Sequence, residues 1–340
     1  MHKKYLLFGI SLLSVLALLG CNSNNDNTSK TGGTKTETTT FYTIPDKEEE
    51  NLDIYYHGLV DLKRYSNKDD LISYYNDLEH ACENFDHLKE DASKEELTIN
   101  GKKDDYYVVS RVNYGKYNLS TNQAIAIWKL IGLDHPEYYW ISTTVVKSNI
   151  DGNDSLVLLT EEDYALYEKR KEIQETIDEF ARNLKILLDK TDEYIKKIEL
   201  IHDYICEYAT YAYNDEGLAD SALWAHNIVG IPMYNKGVCE AYAKLFTYLC
   251  QLNEIDALTV TGSRKNKDKL ESHAWNLVKI EDSWYAVDVT WDDSLRTTKY
   301  FCCGYKDISV SHVPDESTSL ADGIDYVYNL PSISIKNYFE

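Results

Sequence analysis

Three short segments in the last third of the chain combine a thiol, an imidazole and a carboxylate. Cys239 lies in Gly-Val-Cys-Glu-Ala-Tyr, His273 in Ser-His-Ala-Trp-Asn, and Asp288 in Val-Asp-Val-Thr-Trp-Asp. A thiol becomes a strong nucleophile when an adjacent base takes its proton, and the base in turn needs a group that orients it. The three residue types, in this order, therefore predict acyl-transfer chemistry.

The segment after Cys239 has the pattern of an amphipathic helix that begins at the cysteine. Pro232 and Gly237 interrupt regular structure upstream, and apolar side chains then recur at helical spacing, at Tyr242, Leu245, Phe246, Leu249 and Cys250. The free N–H groups and the positive dipole end of such a helix favour a thiolate and could hold a developing oxyanion. Gly237 is expected to leave room for a substrate backbone beside the sulfur.

The relative positions of His273 and Asp288 can be predicted from strand register. Residues 273–291 alternate in polarity on both sides of a short turn, which is typical of a β-hairpin. With a turn of two or four residues, His273 lies opposite Thr290 and Asp288 is its diagonal neighbour on the same face. A three-residue turn would separate the two side chains, because a slip of one residue reverses every side chain. Asp292 shares the same face and is the alternative orienting group.

Longer motifs around these residues resemble the transglutaminase-like superfamily, the Cys-His-Asp branch of the papain-like folds. They are Gly-Val-Cys-Glu-Ala-Tyr-Ala at 237–243, His-Ala-Trp-Asn at 273–276 and Trp-Tyr-Ala-Val-Asp-Val-Thr-Trp-Asp at 284–292. The resemblance implies an α+β fold in which the nucleophile helix packs on an antiparallel sheet. Residues 196–205 resemble the helix that precedes this core in bacterial members, so the catalytic domain is expected to span 190–340.

The same resemblance assigns roles to individual residues. It makes Cys239 the nucleophile, His273 the general base and Asp288 its orienting group, and it implies no metal or organic cofactor. The family also uses an aromatic or amide side chain at the oxyanion hole, for which Tyr234 and Trp224 are candidates. The predicted function is hydrolysis of amide bonds in a peptide or protein substrate through a thioacyl intermediate. Two alternatives stay open, namely cross-linking by transfer to an amine and a non-catalytic binding module on the same fold.

The remaining histidines and cysteines are expected to be structural. His202 and His226 are interpreted as capping or packing residues, and His312 is not assigned a catalytic role. Apart from Cys239 and Cys21, an odd number of cysteines remains, which argues against a disulfide framework and predicts mostly buried thiols: Cys82, Cys206, Cys250, Cys302 and Cys303. The spacing of the cysteines also lacks the paired CxxC pattern of a structural zinc site.

The N-terminus resembles a bacterial lipoprotein signal. Two lysines precede an apolar stretch at 5–19, and Leu-Leu-Gly-Cys ends at Cys21. This resemblance implies cleavage after residues 1–20, a lipid on Cys21, and an extracytoplasmic protein that contacts the membrane through that anchor. The polar segment 21–50 is expected to be a disordered tether. An uncleaved signal anchor or an ordinary secretory signal are the alternatives.

The intervening residues 51–189 predict a small accessory α+β region with no recognisable chemical site. Helices are expected at 66–92 and 124–133 and again around Ile173 to Leu187, with two strands joined by the turn at 151–152. The formal net charge of −22 disfavours nucleic acid as a partner. A peptide, including a cell-wall peptide, is the expected partner, and the sequence leaves the oligomeric state open.

Overall fold

The structure is a computed structural model, and it describes residues 7–10, 56–150, 152–267 and 269–340. The predicted lipid site at Cys21 and the predicted tether lie outside the described residues. Among the described residues, no helix is both long enough and apolar enough to span a bilayer.

The accessory region consists of five α-helices and one antiparallel sheet, to which residues 7–10 of the predicted signal segment add an edge strand. The helices are α1 (His57–Leu62), α2 (Lys68–Asp86), α3 (Thr121–Asp134), α4 (Glu162–Ala165) and α5 (Tyr167–Leu188). The strands are β1 (Leu7–Ile10), β2 (Ser93–Ile99), β3 (Lys102–Asn113), β4 (Ile141–Ile150) and β5 (Asn153–Thr160). They pair in the order β1-β4-β5-β3-β2, with every pair antiparallel.

Most elements predicted for this region are present, but one helix is shorter than expected. The helix predicted over 66–92 ends at Asp86, and the chain turns into strand β2 from Ser93. The helix predicted from Ala124 begins earlier, at Thr121, because Ser120 and Gln123 form a capping box around its first turn. The apolar stripe predicted around Ile173 is buried in α5.

The C-terminal region is built around a second antiparallel sheet. Its helices are α6 (Tyr194–Tyr208), α7 (Gly230–Tyr234), α8 (Cys239–Gln251), α9 (Val289–Leu295) and α10 (Tyr305–Ser311). Its strands are β6 (Thr210–Tyr211), β7 (Lys236–Gly237), β8 (Ala257–Asn266), β9 (Lys269–Ile280), β10 (Ser283–Val287) and β11 (His312–Pro314). The sheet order is β10-β9-β8-β11, with α8 packed on β8 and β9, which is the predicted α+β fold.

The predicted hairpin register is confirmed, whereas the predicted length of its second strand is wrong. Ser283 pairs with Ile280 and Val287 with Asn276, as a two-residue turn requires. Strand β10 ends at Val287, however, and α9 begins two residues later, so Thr290 is helical and does not lie opposite His273 on a strand. The side chain of Asp288 ends the strand pairing because it accepts the backbone N–H of Trp291 and caps the helix.

Two shorter contacts complete this region. An isolated bridge joins Cys303 to Ala286 at the edge of the sheet. Before α6, which has Glu193 as its N-cap, the hydroxyl of Thr191 accepts the N–H of Glu193 in the preceding turn.

The accessory and C-terminal regions share one hydrophobic core. A continuous cluster of buried apolar side chains runs from Leu59 in α1 to Tyr328 near the C-terminus. The C-terminal segment 315–330 returns to the accessory region, where the Tyr326 hydroxyl hydrogen-bonds to Asp61 and the Lys129 ammonium donates to the carbonyl of Tyr326. The six described cysteines are all free thiols, five of them buried, in agreement with the sequence.

Candidate active site

Helix α8 places the thiol of Cys239 at its first position. Val238 is the N-cap, and its carbonyl accepts the N–H groups of Ala241 and Tyr242. The preceding strand β7 pairs in parallel with β6 and brings Tyr211 beside Gly237. A side chain at Gly237 would collide with Ala241, 2.7 Å from the position of its Cβ. The glycine therefore lets the strand approach the first helical turn, which is a different reason from the substrate space predicted from the sequence.

The imidazole of His273 lies between the predicted thiol and the predicted carboxylate. Its Nε2 is 2.7 Å from Asp288 Oδ2, and the thiol of Cys239 is also a hydrogen-bond partner of this ring. Since Nε2 is engaged by the carboxylate, Nδ1 is the nitrogen available to the thiol. The structure thus brings the three predicted residues together, with Asp288 rather than Asp292 on the imidazole.

The electrostatics of this group favour a protonated imidazole. Burial acts to lower the pKa of His273, but the charge and hydrogen bond of Asp288, together with Cys239, raise it to about 10. Burial acts to raise the pKa of Asp288, and the two imidazoles of His273 and His312 hold it well below its usual range. The carboxylate stays ionised, and an imidazolium beside Cys239 stabilises a thiolate.

Each residue of His-Ala-Trp-Asn has a separate contact that holds the site together. Ala274 packs against Cys239, and the Trp275 ring lies 6.0 Å from the ring of His273, nearly parallel to it. The amide of Asn276 donates to the carbonyl of Ala243 in α8 at 2.9 Å. The motif therefore fixes both the histidine and the spacing between sheet and nucleophile helix.

An aromatic hydroxyl lies beside the thiol at a position that the sequence did not single out. Tyr211 hydrogen-bonds to Cys239, and burial followed by the charge of Cys239 raises the pKa of its phenol. The two sequence candidates for an oxyanion aromatic, Trp224 and Tyr234, instead pack edge to face with ring centroids 4.9 Å apart. Only the contact through the short strand pair β6–β7 identifies Tyr211, and the chain around it has no signal of that pairing.

A polar cluster supports the opening turn of α8. Glu240 accepts from Lys244 at 2.7 Å and from Nδ1 of His226 at 2.9 Å, while Nε2 of His226 bonds to the carbonyl of Asp220 at 2.9 Å. Burial acts to raise the pKa of Glu240, but Lys244 and His226 hold it below its usual range. His226 thus connects the residue after Cys239 to the loop that precedes it.

That loop encloses the thiol. Ala219 pairs with Tyr213 across the turn at Gly217 and packs against the cluster that contains Cys239. The exposed fractions of Cys239 and His273 are only 4% and 5%. Both side chains are therefore almost entirely shielded from solvent.

A second group of the same three residue types lies between α6 and α9. His202 Nε2 is 3.2 Å from Asp292 Oδ2 and 3.9 Å from the sulfur of Cys206, and its Nδ1 is 2.8 Å from Asp203 Oδ1. Burial acts to lower the pKa of His202, but the hydrogen bonds to Asp203 and Asp292 keep it well above its ordinary value. Among the described thiols, an imidazole contact is therefore not unique to Cys239, whereas Cys239 combines it with the first position of a helix.

Within the described part of the chain, one group of side chains has the spacing of a metal site. The ligand atoms of His273, Asp288 and His312 all lie within 4.8 Å of one another. Each nitrogen is already at hydrogen-bonding distance from the carboxylate, 2.7 Å for His273 and 2.8 Å for His312. A metal at about 2.0–2.2 Å would have to replace both N–H protons, so we interpret this group as hydrogen-bonded.

Comparison with known families agrees with this geometry. Residues 181–289 match the sequence model of the transglutaminase-like superfamily, an interval that includes Cys239, His273 and Asp288. The chain contains a transglutaminase-like domain. The matched interval begins within α5, and it ends at the first residue of α9.

Individual relatives match only part of the chain. The chain is 25% identical to human kyphoscoliosis peptidase over 175 residues, which are 49% of this chain and 25% of that protein. It is 28% identical to the mouse kyphoscoliosis peptidase over 120 residues, or 33% and 18% of the two chains. The chain thus spans a quarter or less of the curated relatives it matches.

Solved structures with a similar arrangement are more distant. A crystal structure of a TGase aligns with a TM-score of 0.31 and 15% identity, covering 51% of this chain and 48% of that one. The periplasmic domain of TgpA from Pseudomonas aeruginosa aligns with a TM-score of 0.28 and 13% identity, covering 41% and 56%.

Proposed function

We propose that the protein is a cysteine acyl-hydrolase that cleaves amide bonds through a Cys239–His273–Asp288 triad. The observation that carries the proposal is the single imidazole of His273, which contacts the thiol at the start of α8 and the Asp288 carboxylate 2.7 Å away. The thiolate of Cys239 attacks the amide carbonyl, and the imidazolium of His273 gives its proton to the leaving amine. Neutral His273 then activates the water that releases the acid.

Two groups near the sulfur are suited to the oxyanion formed during attack. The backbone N–H groups of Cys239 and Glu240 come before the first N–H that the carbonyl of Val238 accepts, and the phenol of Tyr211 lies beside the thiol. We propose Tyr211 for the role that the sequence assigned to Trp224 or Tyr234. Tyr211→Phe is then expected to slow acylation about 3- to 10-fold without changing thiol alkylation by a small neutral reagent, measured on the same protein samples.

Hydrolysis ranks above transfer because the curated relatives are named peptidases. The deciding experiment incubates the full chain with peptides and cell-wall fragments, with and without an amine donor, and follows the products by mass spectrometry. Free acid formed by the wild-type protein and lost in Cys239→Ala supports the hydrolase. Amide products with the added amine would establish the cross-linking alternative, and binding of peptide without turnover would establish the binding module.

We also propose that the protein is an extracytoplasmic lipoprotein anchored through Cys21. The support is the sequence at its N-terminus alone, where lysines, an apolar stretch and Leu-Leu-Gly-Cys follow one another. Cys21→Ser should leave an unlipidated precursor, because only a thiol forms the thioether. A mature lipidated mass from that variant, measured on intact protein from membranes, would contradict the assignment.

A further inference from the structure

A second imidazole shares the carboxylate oxygen that contacts His273. His312 opens strand β11 and is 2% exposed, and its Nε2 is 2.8 Å from the same Oδ2 of Asp288. Its Nδ1 is 2.9 Å from the hydroxyl of Ser311. Both ring nitrogens of His312 therefore have polar partners, and one of those partners belongs to the proposed triad.

Strand β8 lies between the strands that carry the two imidazoles, and a glycine of β8 lies beside His273. On β8, Gly262 pairs with His273 from one side, and Arg264, two residues further on the same face, pairs with His312 from the other. A Cβ at Gly262 would lie 2.7 Å from the Trp275 ring and 2.4 Å from a backbone carbonyl of β11. The absent side chain thus makes room for the packing that surrounds both rings.

The hydrogen-bond pattern specifies where the protons lie. Because a carboxylate only accepts, the Nε2 atoms of His273 and His312 both carry protons, and Nδ1 of His312 faces the hydroxyl of Ser311. The second oxygen of Asp288, Oδ1, accepts the N–H of Trp291 at 3.0 Å. Three donors on two oxygens hold the carboxylate in one orientation.

We propose that His312 is a positioning residue that keeps the Asp288 carboxylate aligned with His273. This inference rests on the proposed function, since alignment matters only if His273 serves Cys239. Without the donor at His312, one of the two anchors of Oδ2 is lost and the carboxylate can turn away from the base. A buried histidine that merely fills space would have no such effect on the base.

The groups around His312 limit which titrations could change the pH dependence of Cys239 alkylation when His312 is replaced. Its ring is enclosed by the rings of Trp275, Trp291 and Tyr300, with centroids 5.0, 4.7 and 5.7 Å away. The titratable or charged groups that face it are Asp288, His273, Tyr300 and, across the strand pair, Arg264. Of these, only Asp288 and His273 also belong to the proposed triad.

The test compares two amide side chains at this position in the full chain. In His312→Gln the amide can reach Asp288 and donate, whereas in His312→Asn the shorter amide reaches only toward Ser311. We measure the rate constant for iodoacetamide alkylation of Cys239 from about pH 5 to 9. The Asn variant is expected to react about 10-fold more slowly near neutral pH, and its rate should begin to rise at a higher pH than that of wild type, because a less stabilised imidazolium of His273 favours the thiolate less. The Gln variant is expected to stay within about threefold of wild type.

A double-mutant cycle separates positioning from packing. In an Asp288→Ala background, His312→Asn should change the alkylation rate less than about twofold, because no carboxylate is left to position. Equal effects of His312→Asn with and without Asp288, or wild-type reactivity of His312→Asn, overturn the inference. If the Asn variant does not fold, Ser311→Ala replaces it, since loss of the hydroxyl partner at Nδ1 should let the ring of His312 move and slow alkylation about threefold; an unchanged rate then overturns the inference.

Failure of this inference and failure of the proposed function give different results. If wild-type Cys239 shows no preferential alkylation and no amide hydrolysis, the triad itself is wrong. If wild-type Cys239 is reactive and the His312 variants match it at every pH, the triad stands and His312 is a packing residue.

Discussion

The C-terminal region contains two groups that each combine a cysteine, a histidine and an aspartate, and their geometries differ. At Cys239 the Asp288 carboxylate occupies Nε2 of His273, which leaves Nδ1 available to the thiol. At Cys206 the thiol shares Nε2 of His202 with the Asp292 carboxylate, at 3.9 Å and 3.2 Å, while Asp203 occupies Nδ1 at 2.8 Å. Both nitrogens of His202 are therefore engaged by carboxylates, and only His273 has a nitrogen left to take the proton of its thiol.

The two thiols also lie at opposite ends of their helices. Cys239 is the first residue of α8, where the helix dipole stabilises a thiolate, whereas Cys206 is in the last turn of α6, where the dipole opposes it. Residue types alone therefore do not define a reactive cysteine. The nitrogen that each partner uses and the helix end that carries the thiol distinguish a candidate nucleophile from a structural hydrogen bond.

The largest expected difference between the groups is in acylation. Cys239→Ala should reduce thioacyl formation by at least about 10³-fold, because the other described thiol beside an imidazole, Cys206, shares its nitrogen of His202 with a carboxylate. The measurement is the burst of p-nitrophenol from an activated ester, with the acylated peptide located by mass spectrometry. Cys206→Ala is the matched control and should retain the burst within about twofold. If the burst is lost in Cys206→Ala and kept in Cys239→Ala, Cys206 is the nucleophile and Cys239 is the structural thiol.

The second largest difference is expected between the effects of replacing the two aspartates. Asp288→Ala is expected to slow acylation about 100-fold, because His273 loses its orienting group and its raised pKa. Asp292→Ala should change acylation less than about threefold but lower the unfolding free energy by about 1–3 kcal/mol, since it leaves the buried His202 and the N–H of Tyr300 without their acceptor. Kinetics and urea unfolding on both variants test this, and a catalytic defect in the Asp292 variant that exceeds its stability loss contradicts it.

Selective alkylation sharpens the contrast between the thiols. Limiting iodoacetamide at mildly acidic pH should label Cys239 first, by about 10-fold over Cys206, because only the thiolate reacts. Burial raises the pKa of Cys303 to about 12 and also raises the pKa of three other thiols, at Cys82, Cys250 and Cys302, so these should react last. Peptide mapping of the folded protein gives the order. Equal labelling of Cys206 and Cys239 would remove the distinction and favour the binding-module alternative.

The smallest difference is expected in how the melting temperature depends on pH, because His273 and His202 should both stabilise the folded state more at low pH than at high pH. The folded pKa of His273 is raised from 6.5 to about 10, so its contribution is fully present below about pH 6.5 and is lost as pH rises through about 10. The melting temperature of wild type should therefore exceed that of His273→Gln most at pH 6 and least near pH 10. His202→Gln is the comparison variant, and its deficit should shrink with pH as well, because the pKa of His202 is also raised. A deficit of His273→Gln that grows with pH would contradict the assignment of charge.

The sequence predicted those parts of the site that depend on local pattern. The start of α8 follows from Gly237 and the helical spacing after Cys239, and the contact between His273 and Asp288 follows from a period of two and a short turn. The end of β10 was missed because the side chain of Asp288 caps a helix instead of continuing the strand. Tyr211 was missed because its contact with Cys239 depends on a parallel pair only two residues long between distant segments.

The contact between His312 and Asp288 could not be predicted for the same reason, namely that it depends on pairing between distant segments. Nothing near His312 in the chain indicates that β11 will pair with β8 at the level of the active site. The predicted domain boundary at residue 190 stays a prediction, since the family match begins at residue 181 within α5.

The shared core has a consequence for the order in which the chain folds. The hydrogen bond between Asp61 and Tyr326 joins residues 265 positions apart, and Lys129 of α3 donates to a carbonyl of the same C-terminal segment. Such distant contacts form late, because closing a long loop must precede the contacts that stabilise it. The helices α1 and α3 therefore cannot complete their own core until the segment around Tyr326 has been made. An N-terminal fragment released before that point would expose apolar surface and depend on chaperones or be degraded.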